Sequence, residues 1–334
     1  MAAPRTECYK AANFPHQVIP MAADQDRPEP MPVDAPVREQ AATFRPVAEG
    51  MEKHLNVYHP VLDHGFIAVK DYMGDDVSVL QMARMSYGKG TKSLADDRAL
   101  LRYLMRHLHT SPFEGCVIKL HVKLPIFVMR QWVRHRTASL NEYSARYSIM
   151  PDEFYMPDPA QLAVQSKDNK QGRGDTLTPE QAAEVLRLLR EDAVRSFDTY
   201  HKLLNADEEG KALDEDGIGI ARELARIGLP VSAYTQMYWQ TNLHNLMHFL
   251  RLRADVHAQY EIRIFAEKIL EIMADWVPVT TEAFRDYQLE AARVSRMEIA
   301  LLRDMLAGKA AVADAEAYGM TKREIREFQN RFGV

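Results

Sequence analysis

Cysteine is scarce in this chain: 334 residues contain only Cys8 and Cys116, far apart and without metal-ligand spacing. That argues against a disulfide framework or a zinc ribbon and fits a reducing cytoplasm. No apolar run of about 18 residues occurs, and charged and polar residues fall within the N-terminal stretch, so neither a membrane span nor a secretory leader is expected. A broad basic field is missing too. The formal net charge is -5, which argues against a general nucleic-acid binder. Glycine patterns are thin: no paired-glycine fingerprint follows a strand, and YGKGTK, from Tyr87 to Lys92, lacks the P-loop spacing.

What the chain does have is a hydrophobic content of 46%, enough for a sizeable core, and one concentrated polar segment. Between Arg134 and Tyr147 it reads RHRTASLNEYSARY, and with Arg130 just upstream this gathers four guanidiniums. Arginine stays charged at any physiological pH, so such crowding calls for an anionic partner, here a phosphate ligand.

The rest organises around that segment. Residues 1 to 57 are proline-rich and read as an extended arm, 58 to 305 as one mixed α and β domain and 306 to 334 as a helical tail. A strand is expected around Phe66 to Val69, helices over Asp76 to Met85 and Asp96 to His107, and a strand over Cys116 to Lys123. Pro125 then opens a short helix, IFVMRQWVRHR, that runs into the polar segment. Thr178 and Gln181 have capping-box spacing and start a long helix to about Leu204. Ile218 to Ile227 reads as a helix stopped by Gly228 and Pro230, and Trp239 to Met273 as helix interrupted near Ala254 and Asp255. Thr321 and Glu324 form a second capping box. The expected class is α+β, a mixed domain with a central, mainly antiparallel sheet flanked by helices.

Gln131 and Arg134 are three residues apart, and Arg130 and Arg134 four, so on a helix each pair shares a face that can grip a phosphate. A solvated, dipole-favoured helix end is the bland alternative for one or two of these cations. Glu142 is a counterion or a ligand contact among surplus donors. In an extended segment Ser144 and Arg146 would point to one side and share a phosphate. A second polar concentration spans Asn242 to Gln259. His244 and His248 have helical metal-ligand spacing, but Asn245 stands where a zinc-protease motif needs glutamate, so a metal is not expected. On one helix Asn242, Phe249 and Arg253 would face away from His244, His248 and Arg251. Two such faces would line different pockets, as in a symmetric oligomer.

The segment RHRTASLNEYSARY resembles the signature of the flavin-dependent thymidylate synthases, an RHR triplet followed after seven residues by a serine, here Ser144. HTSPFE, HVKLPIFVMRQW, EFYMP, ARELARIGLP and LRADVHAQYEI are similar to family segments in the same order, over about residues 60 to 290. The resemblance implies that dUMP is methylated to dTMP, with methylenetetrahydrofolate as carbon donor and FAD, reduced by NADPH, as hydride source. By position it places Gln131, Trp132, Val133, Arg134, Glu142, Tyr143, Ser144, Ala145, Arg146, Arg226 and Arg253 at dUMP, with Arg253 catalytic. It places Ser111, Arg134, His135, Arg136, Glu142, Asn242, Leu243, His244 and His248 at FAD, and His109 and Tyr147 near the flavin or folate ring. His244 departs from the arginine expected in many relatives. A cytoplasmic homotetramer with active sites between subunits is implied, with no nucleic-acid or membrane partner.

Overall fold

In the computed structural model the described residues are 44–86, 94–166 and 172–334; the YGKGTK segment and most of the proline-rich arm lie outside them. The described part is built on a five-stranded antiparallel sheet of order β1-β2-β3-β7-β4, comprising Tyr58–Val61, Gly65–Met73, Val117–Pro125, Tyr234–Asn242 and Ser139–Glu142. A separate hairpin pairs β5, Ala163–Gln165, with β6, Arg173–Thr176. The main helices are α1 Glu49–Glu52, α2 Asp76–Met85, α3 Leu94–Arg106, α4 Ile126–Trp132, α5 Pro179–Leu204, α6 Arg222–Ala225, α7 Leu243–Arg253, α8 Tyr260–Trp276 and α9 Pro278–Phe284. The C-terminal helices are α10 Arg296–Leu306 and α11 Lys322–Phe332.

Side chains alternate across β3 and β7. Ile118, Leu120 and Val122 on β3, with Met237 and Trp239 on β7, are buried in a core shared with α7 and α8. Trp132 at the end of α4 meets Trp239, Phe249 and Phe265, with ring centroids 4.5 Å from Phe249 and 5.5 Å from Trp239. This aromatic knot fixes the end of α4 and the middle of β7, the two elements that carry the polar segment.

Three expectations are corrected. Trp239 to Asn242 belong to β7, not to a helix: the Asn242 side chain accepts from the Asn245 backbone N–H at 2.9 Å, so the helix starts only at Leu243. Ile218 to Ile227 is mostly not α-helical; α6 covers Arg222–Ala225 and a 3₁₀ turn follows. The stretch before it is tied to the end of α5, where Ile220 N–H donates to the Leu203 carbonyl at 2.8 Å. A Cβ on Gly219 would lie 2.3 Å from the Leu204 carbonyl oxygen, so only glycine allows that approach. Finally, α4 stops at Trp132, leaving Arg134 and Arg136 beyond the helix.

The packed body begins ahead of residue 58, because Ala48 and Met51 join the core. At the other end a small second core of Leu301, Ala315, Met320 and Phe328 joins α10 to α11 across residue 305. Among the described residues no helix is long and apolar enough to cross a membrane.

Candidate active site

The odd-numbered residues of β7 point toward the helices, and two pockets open along that side. The first, of about 430 Å³, is lined by Arg130, Glu142, Tyr143, Ser144, Ala145 and Arg226, with Ile126, Thr235 and the 227–231 segment. Ile126 and Arg130 reach it together because they are four residues apart on α4. Thr235 on β7 donates its hydroxyl to Glu142 Oε1 at 2.9 Å, which holds the carboxylate in the pocket that Arg130 and Arg226 also line. Tyr143 is fixed by its hydroxyl, which donates to the Ile149 carbonyl at 2.8 Å.

Ser144 opens a turn and is not part of an extended strand, since the N–H groups of Tyr147 and Ser148 both donate to its carbonyl at 3.0 Å. The turn separates Ser144 from Arg146, against the same-side expectation. Ser144 lines the pocket, whereas Arg146 leans out to Glu223, with N–O distances of 3.1 and 3.0 Å. Exposed pairs of this kind contribute about 0–1 kcal/mol, so an anion can take Arg146 over at little cost.

The second pocket, of about 200 Å³, is lined by Arg134, His135, Arg136, Thr137, Trp239, Thr241, Asn245 and His248. Thr241 donates to the Thr137 carbonyl at 3.0 Å and so ties the segment ahead of β4 to β7. His135 is the centre of this side. Its ring meets His248 at 5.6 Å and Phe249 at 4.9 Å, and Arg253 Nε donates to its Nε2 at 3.1 Å. Burial first, then the Arg253 charge and His248, pushes its pKa down to about 4. The ring is therefore neutral at pH 7, and because Nε2 accepts from Arg253 the proton sits on Nδ1.

Arg253 also donates from Nη2 to the Gln131 carbonyl at 3.3 Å, and burial lowers its pKa. Both of its partners are neutral. Its positive charge is left for something not supplied by these contacts. The division of α7 into two opposed working faces is corrected here, because His248, Phe249 and Arg253 all reach the same His135.

The remaining expected site residues scatter. The Trp132 and Leu243 side chains are fully buried in the core and reach neither pocket. Val133 is exposed, and Asn242 is occupied as the cap of α7. Ser111 lies exposed on the 3₁₀ turn Ser111–Gly115, and His244 is partly buried on α7; neither lines the two pockets. Gln131 donates its amide to Gln259 Oε1 at 2.5 Å. His109 packs against Tyr103 and His107, and Tyr147 is 76% exposed. Arg130, expected to grip a phosphate with Arg134, lines the first pocket while Arg134 lines the second; pocket residues not expected from the sequence include Thr235, Thr137, Thr241 and Asn245. The alternation in YTQMYWQT was the signal for the β7 threonines.

Cys116 is buried, and burial pushes its thiol up to about 12, so it is not a thiolate at neutral pH. Among the described residues no group of three His, Cys, Asp or Glu side chains is arranged to hold a metal ion.

Comparison with known proteins adds a consistent set of relatives. The family model described as thymidylate synthase complementing protein matches residues 68–279. A flavin-dependent thymidylate synthase of Ruegeria pomeroyi is 54% identical over 301 residues, 90% of this chain and 96% of that protein. One from Rickettsia conorii is 57% identical over 280 residues, 83% of this chain and 95% of that protein. Among solved structures, the UMP/dUMP methylase PolB from Streptomyces cacaoi bound with 5-Br dUMP is similar with a TM-score of 0.59. It is 34% identical and covers 69% of this chain and 98% of its own.

Proposed function

Because the chain belongs to the thymidylate synthase complementing protein family, the flavin-dependent thymidylate synthases, we propose the following division of labour for its residues. Flavin-dependent methylation of dUMP to dTMP comes with that membership. Methylenetetrahydrofolate is the proposed carbon donor and NADPH the proposed source of electrons for FAD.

Arg130 and Arg226, with Arg146 once released from Glu223, form the basic set that fits a nucleotide phosphate, the Ser144 hydroxyl adds a donor, and Glu142 shares the pocket with them. Arg253 is placed at the uracil. The observation that carries this reading is a partly buried guanidinium whose hydrogen-bond partners, the His135 ring nitrogen and the Gln131 carbonyl, are both neutral. With no carboxylate among these partners, its charge is available to stabilise negative charge developing on the uracil carbonyl oxygens. The His135 tautomer keeps that guanidinium aligned without taking its charge.

The second pocket fits part of a flavin dinucleotide. Arg134 and Arg136 supply exposed cations, Thr137, Thr241 and Asn245 supply polar groups, and His248 supplies a ring. A volume of about 200 Å³ in one chain suits only a portion of such a cofactor. When bound, FAD supplies the hydride that completes the methyl group. Arg226 lines the first pocket and Arg253 lies beside the second, so bringing both to one dUMP fits a homotetramer whose active sites lie between subunits. A cytoplasmic location fits a chain with two cysteines, one of them the buried Cys116 thiol. The proposed catalytic region is residues 58–305, preceded by an arm of which Ala48 and Met51 pack into the same core, and followed by a helical tail.

The test is anaerobic conversion of dUMP to dTMP with FAD, NADPH and methylenetetrahydrofolate, read by tritium release from C5-labelled dUMP. Release is expected; none would overturn the reading. Arg253→Ala is expected to lower turnover by roughly 10²–10³ while flavin absorbance stays with the protein. Loss of the flavin would instead reassign Arg253.

A further inference from the structure

Two arginines and a carboxylate line the first pocket without pairing. Arg130 comes from α4, Arg226 from the 3₁₀ turn Arg226–Gly228 and Glu142 from the end of β4, and among the described residues none of the three forms an ion pair. Arg146 is different, since it has already taken Glu223 as a partner. A guanidinium and a carboxylate in one pocket attract each other, so something must hold Glu142 back.

Thr235 supplies the hold. Its side chain is 3% exposed on β7, and its hydroxyl meets Glu142 Oε1 at 2.9 Å. A carboxylate only accepts, so the hydroxyl is the donor and its one proton is spent on Glu142. The β-branched side chain has few rotamers, which fixes the direction of that donor. The backbone around Glu142 is fastened to the same strand: Glu142 lies opposite Met237, and the Tyr143 N–H donates to the Gln236 carbonyl at 2.8 Å.

The restraint has an electrostatic consequence. Two guanidiniums lining one pocket repel each other, and a nearby carboxylate offsets that repulsion. In direct contact with either arginine, however, the same carboxylate would occupy the N–H donors that a phosphate needs and would have to be displaced first. Resting on the proposed placement of the nucleotide phosphate in this pocket, we propose that Thr235 is a positioning residue that holds Glu142 on β7 and so keeps Arg130 and Arg226 available to the phosphate.

Thr235→Val keeps the shape of the side chain and removes its donor, which lets Glu142 swing onto an arginine. The dissociation constant of dUMP from the flavin-loaded protein, measured by calorimetry, is expected to rise about tenfold, the size of one hydrogen bond to a charged group. Thr235→Ser, which restores the hydroxyl, is expected to bind dUMP as the wild type does. With Glu142→Gln already present no carboxylate remains to compete, and Thr235→Val is expected to add no further loss. Thr235→Ala is the second variant should Thr235→Val fail to fold, with the same dependences on serine and on Glu142 expected. Unchanged or tighter dUMP binding in Thr235→Val, beside weaker binding in Arg226→Ala, overturns the role of Thr235 alone. A loss that serine does not reverse, or that is equal with and without the Glu142 change, overturns it as well, because it would reflect loosening of β7. If Arg130→Ala and Arg226→Ala both leave dUMP affinity untouched, the phosphate is held elsewhere and the inference falls with that placement.

Discussion

Mixing two inactive variants tests the shared site most directly. In one chain Arg226 lines the pocket beside Glu142, whereas Arg253 is bound to His135 beside the other pocket, and the two pockets share no lining residue. Suppose each active site takes Arg226 from one subunit and Arg253 from another. Arg226→Ala and Arg253→Ala alone then spoil every site. In equal, randomly exchanged mixtures a site is intact when its first subunit carries the Arg253 change and its second the Arg226 change. Half of the subunits meet each condition, so roughly a quarter of the sites recover whatever the size of the ring. The assay is dTMP formation after co-refolding the two variants, with native mass spectrometry to confirm mixed oligomers. Recovery near a quarter of wild-type turnover supports the shared site. Mixed oligomers no more active than either parent would refute it, because a site built within one subunit always contains one of the two defects.

Two further outcomes follow from local chemistry. His135 has an ordinary pKa of 6.5 that folding lowers to about 4, so between these values the unfolded chain takes up a proton that the folded chain refuses. Its contribution to stability is therefore intact above 6.5 and declines as pH falls toward 4. Urea midpoints are expected to drop more steeply between pH 7.5 and 5 in the wild type than in His135→Gln; equal slopes would contradict the burial argument. Thr178 and Gln181 form a complete capping box on α5, so Thr178→Ala is expected to cost about 1 kcal/mol in urea unfolding without changing dUMP affinity.

Legibility in the sequence tracked whether a residue's neighbours along the chain were also its neighbours in space. The capping boxes at Thr178 and Thr321 are local devices, and both are present in the structure. Helix α2, Asp76–Met85, has the boundaries its pattern suggests, with the Asp75 side chain accepting from the Ser78 backbone N–H. β7 was missed because Trp239 and Leu243 have the four-residue spacing of a helix, while the competing alternation is visible only once Thr235 and Met237 are read with them. The segment from Gly217 to Ala221 was missed because its hydrogen bonds go back to the end of α5, a long-range condition that local propensity does not carry. The site shows the same division. Ser144 was legible as a polar residue with no place in a core, whereas Arg226 came only with the family resemblance; both line the first pocket. Trp132 and Leu243 were placed at the ligands by the resemblance alone, and their side chains turn into the core.

The four arginines of the polar segment, together with Arg226 and Arg253, are equal in sequence but not in surroundings. Arg146 has an exposed carboxylate partner that an incoming anion can replace. Arg130 and Arg226 face a pocket that already holds Glu142, so their charge is partly balanced before any phosphate arrives. Arg134 and Arg136 stand at the rim of the smaller pocket. Arg253 is half-buried against a ring that remains neutral because it is itself buried beside that guanidinium. Replacing His135 by a carboxylate would neutralise Arg253 and remove the field that the proposed chemistry needs. A cation can promote charge development only if the protein has not already satisfied it, and Arg253 meets that condition because the His135 ring nitrogen and the Gln131 carbonyl that it donates to are both neutral.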